Sequence, residues 1–437
     1  MTKEEAEEYI YASYLKAAAH QDYSARDAEK RHPELTRDLI HSLGKTPAVL
    51  VTGSKGKGSV ANMIAAILQS RLTVGLLTSP HILDFTERFR VDGIPVSDAD
   101  FVSCMEEIRP AFERIEENLP EGICISPMGI QAALALTYFN RRGTDFNVLE
   151  CGKGAQYDDV ANARHDYAVI NTVFLEHTRE LGSTLEEIAA DKAHVIDGEQ
   201  KCVYVAPQED SVLEVVSARA KDFGVPLKIY GKDFSGENII FTKQGMRFDV
   251  RTKKCTYEDV RIPLLGSHQA RNCALAIALC EDARGGIDLP EVKKRLDALT
   301  WPGRMEVLSQ EPFIMLDACI NRASTVPVKE TLKELGIGEV TVVIGIPDDK
   351  DFCGVAEAMA GISNHIILTK SQNPHYVFTK GQVGKLAEKG ISAEWIPDTE
   401  AAVQQAKAYG LPFAILGTTS VVAEVEILKG QTSFFAC

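Results

Sequence analysis

Residues 51–60 read VTGSKGKGSV. The apolar run AVLVT (48–52) leads into Gly53-Ser54-Lys55-Gly56-Lys57-Gly58-Ser59, and VANMIAAILQSR (60–71) follows with helical spacing. A glycine turn between a buried strand and a helix aims backbone N–H groups and the positive end of the helix at one point, which suits phosphate oxygens. The general G-x-x-x-x-G-K-[ST] spacing is not met, because only Ser54 and Lys55 separate Gly53 from Gly56. Lys57, entering the helix, is placed to meet the outer phosphates, and Lys55 lies on the outer part of the loop. The plain alternative is a glycine-rich turn with solvated lysines. Agreement of strand, loop and helix argues against it.

Outward from the loop, short apolar runs alternate with helical patterns. TVGLLTS (73–79), FNVLE (146–150), YAVINTV (167–173) and CVYVAP (202–207) read as buried strands, with helical segments such as STLEEIAADKAHVI (183–196) between them. This alternation predicts a parallel sheet covered on both faces. Residues 238–264 instead alternate polar with apolar residues, as a small antiparallel sheet with one wet face does. After the helical SHQARNCALAIALCEDA (267–283), the stretch LTWPGR (299–304) reads as a boundary. A second alternating set follows in FIMLDACI (313–320), VTVVIGIP (340–347), HIILTKS (365–371) and FAILGTT (413–419). The expected fold class is α/β. It comprises a doubly wound N-terminal P-loop ATPase domain (1–299) carrying a small β subdomain at about 233–265, and a Rossmann-like α/β domain (300–437).

The chain has 437 residues, 45% hydrophobic and 25% charged, as in an ordinary globular protein. Its net charge of −15 disfavours nucleic acid and anionic membranes as partners. The acidic N-terminal segment lacks the basic flank and apolar run of a signal peptide, and no stretch is long enough to span a bilayer. Ten cysteines without metal-ligand spacing point to a reducing compartment, so the expected location is cytoplasmic.

TSPHILDFTERFRVDG (78–93), NVLECGKG (147–154) and VFLEHTRELGSTLEEIAADKAHVI (173–196) follow the loop in order. With it they resemble the folylpolyglutamate synthase/dihydrofolate synthase branch of the Mur ligase family, over nearly the whole chain. The resemblance implies that Ser79 and Glu150 hold one Mg²⁺ bridging nucleotide phosphates, that His177 helps hold a second, and that Lys192 is carbamylated. In SHQARN it implies adenine contact by Asn272, with Gln269 three residues before it on the helix. It also implies Arg304 near the phosphates, Asp317 at the ribose, and an Asp-Lys-Asp turn at Asp349, Lys350 and Asp351. Taken singly, a strand-end glutamate, a lone histidine or a lysine beside Glu187 and Asp191 is an ordinary surface group. Their joint occurrence in order is what carries weight.

The departures fall on the substrate side. The family's Asp-Gly-Ala-His-Asn-Pro stands here as Asp317-Ala318-Cys319-Ile320-Asn321-Arg322, so an alkyl group replaces a histidine associated with the incoming amino acid. Gly-Gly-Arg becomes Gly154-Ala155-Gln156, a Phe-Glu pair becomes Met128-Gly129, and Lys55 replaces a neutral side chain. Arg322 is a candidate replacement cation, and Thr418 keeps a hydroxyl where the family has serine. The resemblance implies an ATP-dependent, ADP-forming carbon–nitrogen ligase that joins a small-molecule carboxylate to an amino acid through an acyl phosphate. Lys57, His177, Lys192 and Arg304 are its catalytic candidates. A sibling ligase for another acid or amino acid, and an inactive nucleotide-binding homologue, stay open. A simple ATPase or kinase would not need the second sheet.

Overall fold

The computed structural model describes residues 1–18, 25–431 and 434–435. The first strands are β1 (Ala48–Thr52), β2 (Val74–Leu77), β3 (Phe89–Val91), β4 (Ile94–Pro95), β5 (Phe146–Glu150), β6 (Tyr167–Ile170), β7 (Cys202–Val205) and β8 (Leu227–Ile229). They form one sheet in the order β4-β3-β2-β5-β1-β6-β7-β8. From β2 to β8 the pairs are parallel, as the buried runs predict. β3 and β4 are an antiparallel edge that the strand–helix alternation does not foretell. The cause is local: Asp92 and Gly93 both take positive φ (52° and 80°), the geometry of a two-residue hairpin turn.

β9 (Phe234–Thr242), β10 (Gly245–Thr252) and β11 (Thr256–Ile262) make the small sheet, in the order β11-β10-β9. Their connections are too short for anything but antiparallel neighbours. The last sheet runs β12-β13-β17-β14-β15-β16, from β12 (Glu306–Gln310), β13 (Phe313–Asp317), β14 (Val340–Gly345), β15 (Ser363–Leu368), β16 (Glu394–Trp395) and β17 (Phe413–Gly417). It is parallel except for β12, which runs antiparallel to β13.

Two compact units result. One comprises Met1–Ser235, Val250–Thr256 and Arg271–Arg295, and the other Gly236–Asp249, Tyr257–Ala270 and Leu296–Cys437. In the first, the helix Pro127–Arg142 shows how the core forms. Ser126 caps its first turn, Gly143 in the left-handed region ends it, and Leu134, Leu136, Tyr138 and Phe139 are buried along it. Burial of each large apolar side chain contributes about 1.5–3 kcal/mol. Cys273 and Cys280 are packing residues, as their spacing suggests, and burial pushes both thiols up.

One buried carboxyl works against this core. Asp159 accepts a hydrogen bond from the Thr36 hydroxyl at 2.6 Å. Burial, reinforced by Asp158, pushes its pKa from 3.8 up to about 6. The folded state therefore holds this proton where the unfolded chain releases it. Stability falls as pH rises from about 4 through about 6, and the loss is complete above that. Asp159→Asn is expected to gain on wild type by about 1 kcal/mol or more between pH 5 and pH 8, read from urea midpoints. An advantage that does not change with pH would contradict this.

Candidate active site

The loop after β1 is built around two glycines. Gly53 has φ +138° and Gly56 φ +77°, and a Cβ at Gly56 would come within 2.6 Å of the Asn171 amide nitrogen. Gly56 precedes the helix Lys57–Leu68, and no side chain caps that helix. The first turn of a helix carries N–H groups without intrahelical partners, so this N-terminus suits an anion. Lys55 is exposed and Lys57 is not. The Lys57 Nζ donates to the Gly53 carbonyl at 3.1 Å.

A second lysine reaches the same carbonyl. Lys192, only 1% exposed, also donates its Nζ to Gly53 O at 3.1 Å. Its ion-pair partner is Glu176 at 3.0 Å. Neither sequence neighbour serves it in that way. Glu187 closes the capping box of the helix Leu185–Lys192, and Asp191 accepts from Ala155 N. Burial pulls the Lys192 pKa below that of an ordinary lysine; Glu176 pulls it back up and Lys57 adds to the lowering. A neutral amine is the form that reacts with CO₂, so this environment fits carbamylation.

Glu150 ends β5, buried, and Ser79 follows β2, the neighbouring strand. The Ser79 N–H donates to Glu150 Oε2 at 3.0 Å, and among the described residues the Ser79 hydroxyl has no protein partner. One carboxylate and one open hydroxyl fit Mg²⁺, which takes oxygen ligands and keeps several waters. Among the described residues, no group of three or more His, Cys, Asp or Glu forms a ready-made metal cage. His177 takes φ +46°. Burial holds its pKa below the usual value, with Glu176 and Glu180 opposing and Lys153 and Lys192 assisting. Lys153 pairs with Asp27 and Glu180, so the loop after Glu150 has a cation although Gln156 is neutral.

Asn171 was not anticipated. Its amide donates to Lys55 O at 3.0 Å and to Asn272 Oδ1 at 3.2 Å, so it ties Asn272 to the phosphate loop. Ser54 is fixed to the same strand end by its N–H on Thr172 O and its hydroxyl on Phe174 O. A polar residue closing the apolar run YAVIN was the available signal for Asn171.

The Mur ligase middle domain family model matches residues 51–280. A relative named "Folylpolyglutamate synthase", from Lacticaseibacillus casei, is 32% identical over 76% of this chain and 79% of its own. The chain belongs to the Mur ligase family. A relative from Haloferax volcanii, named "Probable bifunctional folylpolyglutamate synthase/dihydropteroate synthase", is 31% identical over 90% of this chain, which spans 48% of that longer protein. Among solved structures, one titled "FPGS-AMPPCP-folate complex" aligns with TM-score 0.79 and 27% identity, covering 98% of this chain and 99% of its own.

The second unit of this Mur ligase holds the remaining candidates. Asp317 ends β13, and its Oδ2 accepts from Met305 N at 2.9 Å. Arg304 donates to Gly303 O, and Ala318 N donates to that same carbonyl. Asp317 and Arg304 are thus held side by side. Thr418 follows β17, the strand beside β13, and its hydroxyl lies 3.3 Å from that of Ser420. Gln269 is buried near the start of the helix Ser267–Arg284; Asn272, also buried on that helix, belongs to the first unit. Arg322 is largely exposed and pairs with Glu357 at 3.0 Å. Asp351 caps the helix Phe352–Ala360 and accepts from Arg322 N. Ile320 is half-buried and Cys319 fully buried.

Proposed function

We propose that this chain is an ATP-dependent, ADP-forming ligase that joins a folate-type carboxylic acid to glutamate. The observation that carries the reading is the convergence of Lys57 and Lys192 on one carbonyl of an anion-ready loop, in the unit that also holds the Ser79–Glu150 pair. The names of the relatives supply the substrate class.

In this reading the loop N–H groups and Lys57 hold the outer phosphates of ATP. The acid's carboxylate attacks the γ-phosphorus, the bond to the β-phosphate oxygen breaks, and ADP leaves. The amine of the amino acid then attacks the acyl phosphate carbonyl, loses a proton and expels phosphate. Positioning and charge supply most of the catalysis in phosphoryl transfer. When bound, Mg²⁺ at Ser79 and Glu150, with a second near His177, neutralises phosphate charge. Lys192 as a carbamate would give the site an anionic oxygen pair in place of an ammonium. Asn272 and Gln269 are assigned to adenine, and Arg304 and Asp317 to phosphate and ribose. Arg322 and Thr418 are assigned to the substrate side.

We propose a functional division near residue 300, with the β9–β11 sheet as a subdomain. No helix among the described residues is long and apolar enough to cross a membrane. A cytoplasmic location fits the free cysteines. The test is ADP release across a panel of acids and amino acids. Release that needs both an acid and an amine supports the reading, and release indifferent to both overturns it.

A further inference from the structure

Asn171 directly follows β6 and is 2% exposed. Both N–H groups of its amide are spent inside the protein, on Lys55 O at 3.0 Å and on Asn272 Oδ1 at 3.2 Å. Its Oδ1 accepts from Thr172 N at 3.0 Å. Its backbone is held as well, by N–H on Thr52 O at 2.9 Å and by its carbonyl accepting from Gln208 Nε2 at 3.0 Å. With no amide donor left over, whatever Asn171 does for a ligand it does through its partners.

Two of those partners decide which way the amide faces. Lys55 O can only accept and Thr172 N can only donate, so Nδ2 lies toward the loop and Oδ1 toward Thr172. The Asn272 atom that meets Nδ2 must therefore be an acceptor, its Oδ1. That sets the second amide in turn. The oxygen arm of Asn272 faces Asn171, and its Nδ2 lies on the diverging arm. Both amides pack against Gly56, the left-handed residue before Lys57. A Cβ there would lie 2.6 Å from Asn171 Nδ2 and 3.2 Å from Asn272 Nδ2. One side chain thus fixes the phosphate loop and the Asn272 amide in a single register, all within the first unit.

We propose that Asn171 is a positioning residue for the nucleotide, which locks Asn272 so that its amide nitrogen is the arm offered to the base. An Asn272 able to rotate could present donor or acceptor and would suit several bases. A locked one asks for a ring-nitrogen acceptor of a purine. A buried polar network in which every member is satisfied holds one arrangement, and a broken one does not. This inference rests on the ATP-dependent reading and on the assignment of Asn272 to the base. It adds the residue that sets the chemistry of that contact.

The test uses ATP and three analogues in which CH replaces N1, N3 or N7 of adenine. Their Kd values are measured with Mg²⁺, without acid or amine, alongside melting temperatures. The proteins are wild type, Asn171→Ala, Asn171→Asp, Asn272→Ala and the double variant Asn171→Ala/Asn272→Ala. Wild type is expected to bind one of the analogues about 5-fold or more less tightly than ATP, the loss of one neutral hydrogen bond. In every variant that ratio should fall to within about 2-fold, the margin of ordinary non-additivity. Asn171→Asp is nearly isosteric but has no donor, so Asn272 must turn its nitrogen inward. This variant decides the matter if Asn171→Ala does not fold. Reading a ratio removes any general loss of affinity that a merely structural role would cause. A wild type that binds all three analogues as it binds ATP overturns the inference alone. So does a folded Asn171 variant that keeps the wild-type ratio. A wild type that does not bind ATP overturns the ligase reading and this inference together.

Discussion

Lys57→Met is expected to leave the protein folded and to lower ADP release by about 100- to 1000-fold, the loss typical of removing one preorganised group that meets developing charge. Lys57 opens the helix after the phosphate loop, and among the described residues its ammonium bonds only to the Gly53 carbonyl four residues back. The fold does not depend on that contact. Removing the ammonium also relieves repulsion with Lys192, so the melting temperature should hold or rise. Lys57→Arg should behave more like the Met variant than like wild type, because a planar fork does not replace a compact ammonium. Lys55→Met, at an exposed position, should change turnover by less than about 3-fold, within the range of an ordinary surface substitution. Equal losses at Lys55 and Lys57 would contradict the division of labour between them.

The second large effect is expected at Lys192. Lys192→Met fills similar space without a buried charge, so the protein should fold while turnover falls by about 100-fold or more, on the scale of losing an electrostatic catalytic group. Bicarbonate should not restore it. Wild type depleted of CO₂ should lose activity and regain it with bicarbonate. The sign with pH follows from the neutral amine. Burial and Lys57 make the amine release its proton more readily than an ordinary lysine, so carbamate is favoured at higher pH and is lost as pH falls through the folded pKa. A ¹³C signal from labelled bicarbonate, present in wild type and absent in Lys192→Met, is the direct reading. Glu176→Gln removes the partner that favours the charged form, so its carbamate should persist to lower pH. A wild type indifferent to bicarbonate would contradict the assignment.

The phosphate loop was legible because its demands are local. Gly53 and Gly56 are needed for positive φ, and the flanking apolar runs fix the strand and the helix around them. The buried runs likewise give both parallel sheets, since a strand covered on both faces needs no polar residue. The antiparallel β3–β4 edge was written in Asp92-Gly93 but hidden inside a longer motif. What could not be read was which residues meet across the chain. Lys192 looks like part of a charged face with Glu187 and Asp191, yet its partner is Glu176, because the helix rotates Lys192 inward and spends Glu187 on its cap. Arg88 reads as one more surface cation in TERFR until its burial is known. Arg322 shows the reverse case, since it is itself largely exposed and its pairing with half-buried Glu357 was invisible to spacing.

The central claim is that the acid is activated by the γ-phosphate. It is tested by supplying an acid labelled with ¹⁸O in the carboxylate that is ligated, together with ATP, Mg²⁺ and the amine. The account predicts one ¹⁸O atom in the inorganic phosphate for each amide formed, because the oxygen that attacks phosphorus leaves with it. Phosphate without label, or label released in AMP, would contradict it.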